Sequence, residues 1–264
     1  MTTALPTMGI TFRAETPPEL LHDVAIAADE AGIPELWLWE DCFLEGGIAT
    51  ASAALAWTSR VRVGLGLMPV PLRNPALAAM ELSALAHLAP DRVIAGFGHG
   101  VLDWMGQVGA RAQSPLTLLR EYTTAVRALL AGETVDVDGR YVSLDEVALG
   151  RPPQTPPELV IGATREKTLR LGGELADGVL LTAESDESAV RAARTIVDEG
   201  RAASGRDGRT RLIVYTEVDP LGPSLAVRLR DRAALLGEAG ADAVSFEAPA
   251  SHPDPTPFIE ALAR

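Results

Sequence analysis

Short apolar or β-branched runs alternate with amphipathic helical patterns from one end of this chain to the other, and the alternation repeats eight times. The expected strands are Gly9–Arg13, Glu35–Trp39, Arg62–Leu67, Arg92–Phe97, Leu159–Gly162, Gly178–Thr182, Leu212–Glu217 and Ala243–Glu247. Each is too short for a core helix and lies beside glycine, proline or a charged residue. The helical segments between them are Pro17–Ala31, Asn74–Leu88, Pro115–Ala131, Arg165–Ala176, Glu187–Ala203 and Pro223–Ala239, with a last one at Thr256–Ala263. Leu20, Leu21, Val24, Ala27 and Ala28 share one face of the first, and Leu118, Leu119, Tyr122, Val126 and Leu129 share one face of Pro115–Ala131. Gly32 and Gly240 stand where a left-handed residue ends a helix, and Pro17, Pro115 and Pro223 stand near first-turn positions. Strand followed by helix, repeated, builds a parallel sheet with its helices outside. Eight units close that sheet, so the expectation is an α/β fold: a single (β/α)8 TIM barrel over residues 1–264. An open doubly wound sheet is the alternative.

Two stretches break the rhythm. His99–Ser114 follows the fourth strand, and Gly132–Pro157 follows the fourth helix. The second is expected to hold a hairpin of Val135–Val137 and Tyr141–Leu144 around Asp138-Gly139, a strong turn pair. It ends in the proline-rich run Arg151–Pro157, whose rival reading is a linker between domains. The four units after it could not close a sheet alone, which disfavours that reading.

With 264 residues, 47% of them hydrophobic, the chain has material for one large core. Barrels of about 250 residues are ordinary single domains. No apolar run is long enough for a membrane span, and Met1–Gly9 has neither the basic residue nor the long apolar run of a secretory leader. Cys42 is the only cysteine, which fits a reducing cytoplasm. A net charge of −13 opposes binding to nucleic acid or anionic lipid, so an anionic ligand must be held by short-range donors.

In barrel enzymes the site forms at the C-terminal ends of the strands. That rule brings Arg13, Glu40, Asp41, Cys42, Leu67, His99, Gly162, Glu184, Glu217 and Glu247, with their neighbours, to the mouth. Three glycine-bearing segments stand out there. Gly64-Leu65-Gly66-Leu67-Met68-Pro69 permits a bulge or a close backbone approach, or is a strand ending early in a proline-rich loop. Gly96-Phe97-Gly98-His99-Gly100 lacks the third glycine of a dinucleotide fingerprint. Its alternate glycines leave a flat floor for a ring, or form a tight turn. Val160-Ile161-Gly162-Ala163-Thr164-Arg165 runs into a helix and presents N–H groups to an anion, or is an ordinary N-cap by Thr164.

The mouth acids with His99 also allow a metal-dependent isomerase reading, though no paired-histidine or paired-cysteine spacing supports it. His22, His87 and His252 read as surface or satisfied residues. No Gly-x-Ser-x-Gly elbow is present, and Cys42 has no partner histidine nearby.

Taken in order, these segments resemble the luciferase-like flavin- or deazaflavin-dependent oxidoreductases. The resemblance is carried by Trp37-Leu38-Trp39-Glu40-Asp41, Val63–Leu67 with Arg73-Asn74-Pro75, Arg92–Gly100, Val160–Ala163 and Leu175–Val179. It implies a ring lying over a bulge in the third strand, with a non-proline cis peptide at Gly66–Leu67. It implies cofactor contacts from Gly66, Leu67, Gly96 and Gly98. It also implies a phosphate held by Gly162, Ala163, Thr164, Gly178 and Val179, with Arg165 at the rim. Gly98–Met105 is similar to the subgroup of methylene-tetrahydromethanopterin reductase, which favours coenzyme F420 with FMN as the alternative.

The implied activity is hydride transfer to or from a small organic substrate. Glu40 or His99 would handle the proton, and Asp41 would orient it. An FMN-dependent monooxygenase using O₂ and a noncatalytic flavin-binding barrel are the alternatives. Asp41-Cys42 departs from the histidine often found after the glutamate. Pairing into a homodimer through Ala49–Trp57 and Ala76–Leu88 is expected, because both are apolar beyond one face.

Overall fold

Alternation with period two sorts every strand of the sheet into an inner and an outer face. In chain order the strands are β1 (Thr7–Phe12), β2 (Glu35–Leu38), β3 (Arg62–Pro69), β4 (Val93–Gly98), β5 (Val135–Asp138), β6 (Ser143–Val147), β7 (Glu158–Gly162), β8 (Gly178–Leu181), β9 (Arg211–Glu217) and β10 (Ala243–Glu247). The computed structural model describes residues 5–263. Eight of these strands close a parallel barrel in the order β1-β10-β9-β8-β7-β4-β3-β2, and β5 with β6 form a separate antiparallel pair. The expected (β/α)8 barrel is therefore the fold, and the open-sheet alternative falls. The proline-rich run leads from the hairpin into β7 of the same barrel. The leader question touches residues 1–4, which lie outside the described residues.

The helices are α1 (Leu21–Glu30), α2 (Gly47–Trp57), α3 (Pro75–Leu88), α4 (Leu102–Gln107), α5 (Pro115–Leu130), α6 (Glu166–Leu175), α7 (Glu187–Ser204), α8 (Leu225–Glu238) and α9 (Thr256–Leu262). Among the described residues, none is long and apolar enough to cross a membrane. Gly32 and Gly240 do take positive φ at 73° and 113° after their helices. Leu20 corrects the expected face of the first helix: it lies in a short 3-10 turn before α1 and is exposed. The hairpin also differs. The loop is four residues long, with Asp138 paired to Ser143 and the Gly139 N–H donating to the Val142 carbonyl at 2.8 Å. Glu121 of α5 accepts the N–H groups of Arg140, Tyr141 and Val142, so a side chain from another element shapes this turn.

Two cores result. Outward residues such as Leu36, Phe97, Ile161, Val214 and Phe246 pack beneath the helices. Trp37, Ile94, Val160, Leu180, Ile213, Tyr215 and Ala243 fill the barrel interior. A Cβ at Gly64 would stand 2.5 Å from the Trp37 ring, so that glycine makes room for the indole of its register partner on the adjacent strand.

The N-terminal end is closed by charge. Arg62 pairs with Glu35 at 3.1 Å and Glu158 at 2.7 Å, while Arg211 reaches Glu35 at 2.6 Å. These residues open β3, β2, β7 and β9, so one ring of side chains plugs the floor and leaves the opposite end for a ligand.

Candidate active site

The mouth has two unlike walls. On the first, β3, β4 and β7 place Gly66, Gly96, Gly98 and Gly162 beside one another. A Cβ at Gly66 would collide with the Tyr215 hydroxyl, and one at Gly96 with the Leu65 carbonyl oxygen. At Gly98 and Gly162 it would meet the Leu67 side chain. These glycines carry no side chain, and Leu67 lies across Gly98 and Gly162. Register between β3 and β4 shifts between Leu65 and Met68, and the Gly66–Leu67 peptide is cis, both as the resemblance implied. A second cis peptide, Cys42–Phe43, had no signal in the sequence. The Tyr215 hydroxyl donates to the Gly66 carbonyl at 3.2 Å and ties this wall to β9. Burial raises the Tyr215 phenol well above its ordinary range, so it remains a donor.

The second wall is polar and comes from β1, β2, β9 and β10. The Arg13 guanidinium lies 4.7 Å from the centre of the Trp39 ring, and Trp39 stacks on Tyr215 with centroids 6.0 Å apart. Arg13 donates to Glu15 through Nε at 3.1 Å and Nη2 at 2.9 Å, and to Glu247 Oε1 through Nη1 at 3.1 Å. Glu217 stands 3.8 Å away. Glu247 is buried, and its Oε2 has no partner among the described residues. Burial, reinforced by Glu217 and Glu15 and opposed by Arg13, pushes its carboxyl up to about 7.

The sequence candidates fall in different places. Glu40 is held on both oxygens by Arg73, at 2.6 and 2.9 Å, and its Oε2 also accepts the Gly47 N–H at the start of α2. A carboxylate so engaged is a clamp on the loop after β2. Asp41 is partly buried, and desolvation together with the Glu15 charge raises its pKa. Its neighbours are Arg13 and Glu15, so it belongs to the polar wall. His99 turns aside toward α6, with Nε2 3.2 Å from the Thr168 hydroxyl. Its Nδ1 is buried without a partner among the described residues, and burial lowers its pKa, which keeps the ring neutral.

Gly162, Ala163 and Thr164 do end β7 at the mouth. The Ala163 N–H is already given to the Leu180 carbonyl at 3.0 Å, and α6 begins at Glu166 with Arg165 as an N-cap that makes no side-chain bond. Thr164 is exposed and does not cap. Gly178 and Val179 are a correction. They open β8 at the floor end, in register with Val160 and Ile161, and both are buried in the sheet. They sit at the start of a strand, whereas the mouth takes strand ends. Thr182 and Ala183, past the end of β8, occupy the corresponding rim. Among the described residues, no three of His, Cys, Asp and Glu are placed to share a metal ion.

Arg73 was legible only as part of a motif, and Glu247 only as one mouth acid among several. Strand parity is the signal that distinguishes Glu247: with Ala243 in the inner core, Ser245 and Glu247 share its face.

Residues 4–256 match the pattern of the luciferase-like monooxygenase family. The 5,10-methylenetetrahydromethanopterin reductase of Methanolobus tindarius is 28% identical over 201 residues, covering 76% of this chain and 61% of its own length. An F420-dependent glucose-6-phosphate dehydrogenase of Kineococcus radiotolerans is 30% identical over 207 residues, covering 72% of this chain and 60% of its own. The chain thus spans about three-fifths of the length of these curated relatives. Among solved structures, the F420-dependent tetrahydromethanopterin reductase from Methanopyrus kandleri superposes with a TM-score of 0.81 at 18% identity, covering 99% of this chain and 98% of that one. The oxygenating constituent of a Pseudomonas putida 3,6-diketocamphane monooxygenase, solved with FMN, superposes with a TM-score of 0.78 at 17% identity, covering 98% of this chain and 96% of that one. The structural likenesses carry the fold.

Proposed function

The chain belongs to the luciferase-like monooxygenase family, and on that premise we propose that it is an oxidoreductase moving a hydride between coenzyme F420 and a small organic substrate. One observation carries the reading: a glycine wall built by β3, β4 and β7 faces a wall of ionisable and aromatic side chains. The first suits a flat ring, because at Gly66, Gly96, Gly98 and Gly162 no side chain can project: a Cβ would collide with Tyr215, the Leu65 carbonyl or Leu67. The second suits a polar substrate.

Gly66, Leu67, Gly96, Gly98 and Gly162 would hold the ring, and Ala163, Thr164 and Arg165 lie at the edge where a phosphate would sit. A deazaflavin bound there supplies or takes up hydride, while reduced FMN in the same place also reacts with O₂. This chain's own residues orient and exclude. Tyr215 fixes the Gly66 carbonyl, the Glu40–Arg73 pair fixes the loop after β2, and Trp39 with Arg13 shapes the substrate side. F420 is preferred over FMN because curated relatives at 28–30% identity are named for F420 or methanopterin chemistry. We also take the protein to be a cytoplasmic homodimer, on its single cysteine and the exposed apolar residues of α2 and α3.

Titration of the purified protein with F420, FMN and FAD, followed by fluorescence, tests the cofactor. Tight binding of F420 and hydride transfer without O₂ are expected. O₂ consumption with reduced FMN, and no F420 binding, would move the assignment to the monooxygenase reading.

A further inference from the structure

Hydride transfer to a carbonyl or imine carbon leaves a negative charge on the heteroatom, so a proton source must stand beside it. Glu40 has both oxygens occupied by Arg73 and the start of α2. His99 is turned to Thr168. Glu217 is half-exposed, and Glu15 is taken by Arg13 through two bonds. Glu247 alone in this group combines burial with an unoccupied oxygen. Its side chain is 4% exposed, Oε1 is fixed by Arg13 at 3.1 Å, and Oε2 meets no partner among the described residues. Arg13 is itself anchored over Trp39 and held by Glu15, so the carboxyl it holds is not free to swing.

Building on the hydride-transfer reading above, we infer that Glu247 exchanges the proton with the substrate's reacting oxygen or nitrogen, and that Arg13 is its positioning residue. In the reducing direction a hydride joins the carbonyl carbon and the C=O π pair moves to oxygen. That oxygen takes the proton from Glu247 Oε2. Glu247 is left as a carboxylate against the Arg13 guanidinium, and Glu217, at the solvent edge of the same cluster, lies on the route by which a proton returns from water.

The charged and titratable groups facing Glu247 are Arg13 and Glu15 from the loop after β1, and Glu217 and Tyr215 from β9. A buried carboxyl among two other acids and one shared arginine holds its proton near neutrality, where a general acid serves in both directions. The same arrangement names a substrate class. The one arginine of this wall is saturated by carboxylates, so the substrate is an uncharged or cationic carbonyl or imine, not a phosphate ester.

The test compares wild type with Glu247→Gln and Glu247→Asp, using reduced F420 and a panel of small ketones, aldehydes and cyclic imines. Infrared difference titration of the cofactor-free proteins reads the carboxyl directly. The expected results are a buried carboxyl titrating near 7 in wild type and absent in Glu247→Gln. For Glu247→Gln, kcat should fall about a hundredfold or more, with F420 affinity unchanged and the neutral-pH limb of kcat/KM gone. Glu247→Asp should recover part of kcat. Equal kcat and pH profile in wild type and Glu247→Gln would overturn the inference and leave the hydride reading intact. Wild type that binds F420 yet is inert with the whole panel would overturn the substrate class inferred here, and a carboxyl titrating in the ordinary glutamate range would overturn the role of Glu247. A wild type that binds neither F420 nor FMN would remove the functional reading itself, and this inference with it.

Discussion

Arg73 grips Glu40 through both guanidinium nitrogens, at 2.6 and 2.9 Å, across 33 residues of sequence. The pair joins the loop before α2 to the loop before α3, both at the mouth, and Glu81 of α3 adds a third charge 3.4 Å from Arg73. Both side chains are mostly buried, at 16% and 8% exposure, so removing one partner strands a charge out of water. Arg73→Met or Glu40→Gln should therefore lower the unfolding free energy by about 3–5 kcal/mol, measured by chemical denaturation. Replacing both should cost less than the sum of the two single changes.

The glycine wall gives a second expectation. An added Cβ at Gly98 would stand 2.5 Å from Leu67 Cδ2, the far end of a flexible side chain. Gly98→Ala should fold, with Leu67 displaced toward the axis, and should weaken F420 binding about tenfold or more. Adding Leu67→Ala relieves the collision but leaves the methyl on the wall. If fluorescence titration finds that Gly98→Ala binds F420 as wild type does, the ring lies elsewhere.

Glu247 makes stability depend on pH. Its carboxyl titrates at about 7 when folded against an ordinary value of 4.5. Below 4.5 both states hold the proton and nothing is lost. As pH rises toward 7 the unfolded chain releases its proton first, and the native state becomes less stable relative to it. The full effect above that point is roughly 3 kcal/mol. Denaturation curves of wild type and Glu247→Gln should separate in favour of the variant between pH 5 and 8, within about the window of that shift. Parallel curves across the range would show that Glu247 is already ionised in the fold.

Much of this architecture was readable because barrel strands are local objects. Arg62–Leu67 and Ala243–Glu247 announce themselves through branched residues, glycines and neighbouring turns, and the structure moves their ends by two residues at most. Leu118, Leu119, Tyr122, Val126 and Leu129 were legible because a helix face is a periodic pattern, and all are buried. The site was less legible because it is made of pairings between distant strands. Nothing near Glu40 announces Arg73, and nothing near Glu247 announces that Arg13 will take one of its oxygens and leave the other free. Gly178 and Val179 were misplaced for a related reason. A motif carried over as a string does not say which end of its strand faces the mouth, whereas the register of β8 with β7 and β9 does.

The expected homodimer has a surface to test. Along α3, Leu77, Met80, Ala84 and Leu88 are exposed at helical spacing, with Leu88 82% accessible. On α2, Ala49, Ser52 and Ala56 form an exposed stripe of small residues that ends at Trp57. Single exposed leucines need no explanation, but stripes on two helices of successive barrel units supply apolar surface of the kind that associates. Small residues on one helix let the longer side chains of another approach closely, so α2 of one copy is suited to receive α3 of a second in an isologous pair. Because the patch is apolar, a buried charge without a partner should break the pair while leaving the monomer folded. Met80→Glu with Leu88→Arg should sediment as a monomer at micromolar concentration, with wild type sedimenting as a dimer, and both should show the same circular dichroism. Wild type that is monomeric at that concentration would leave these stripes without the role assigned to them.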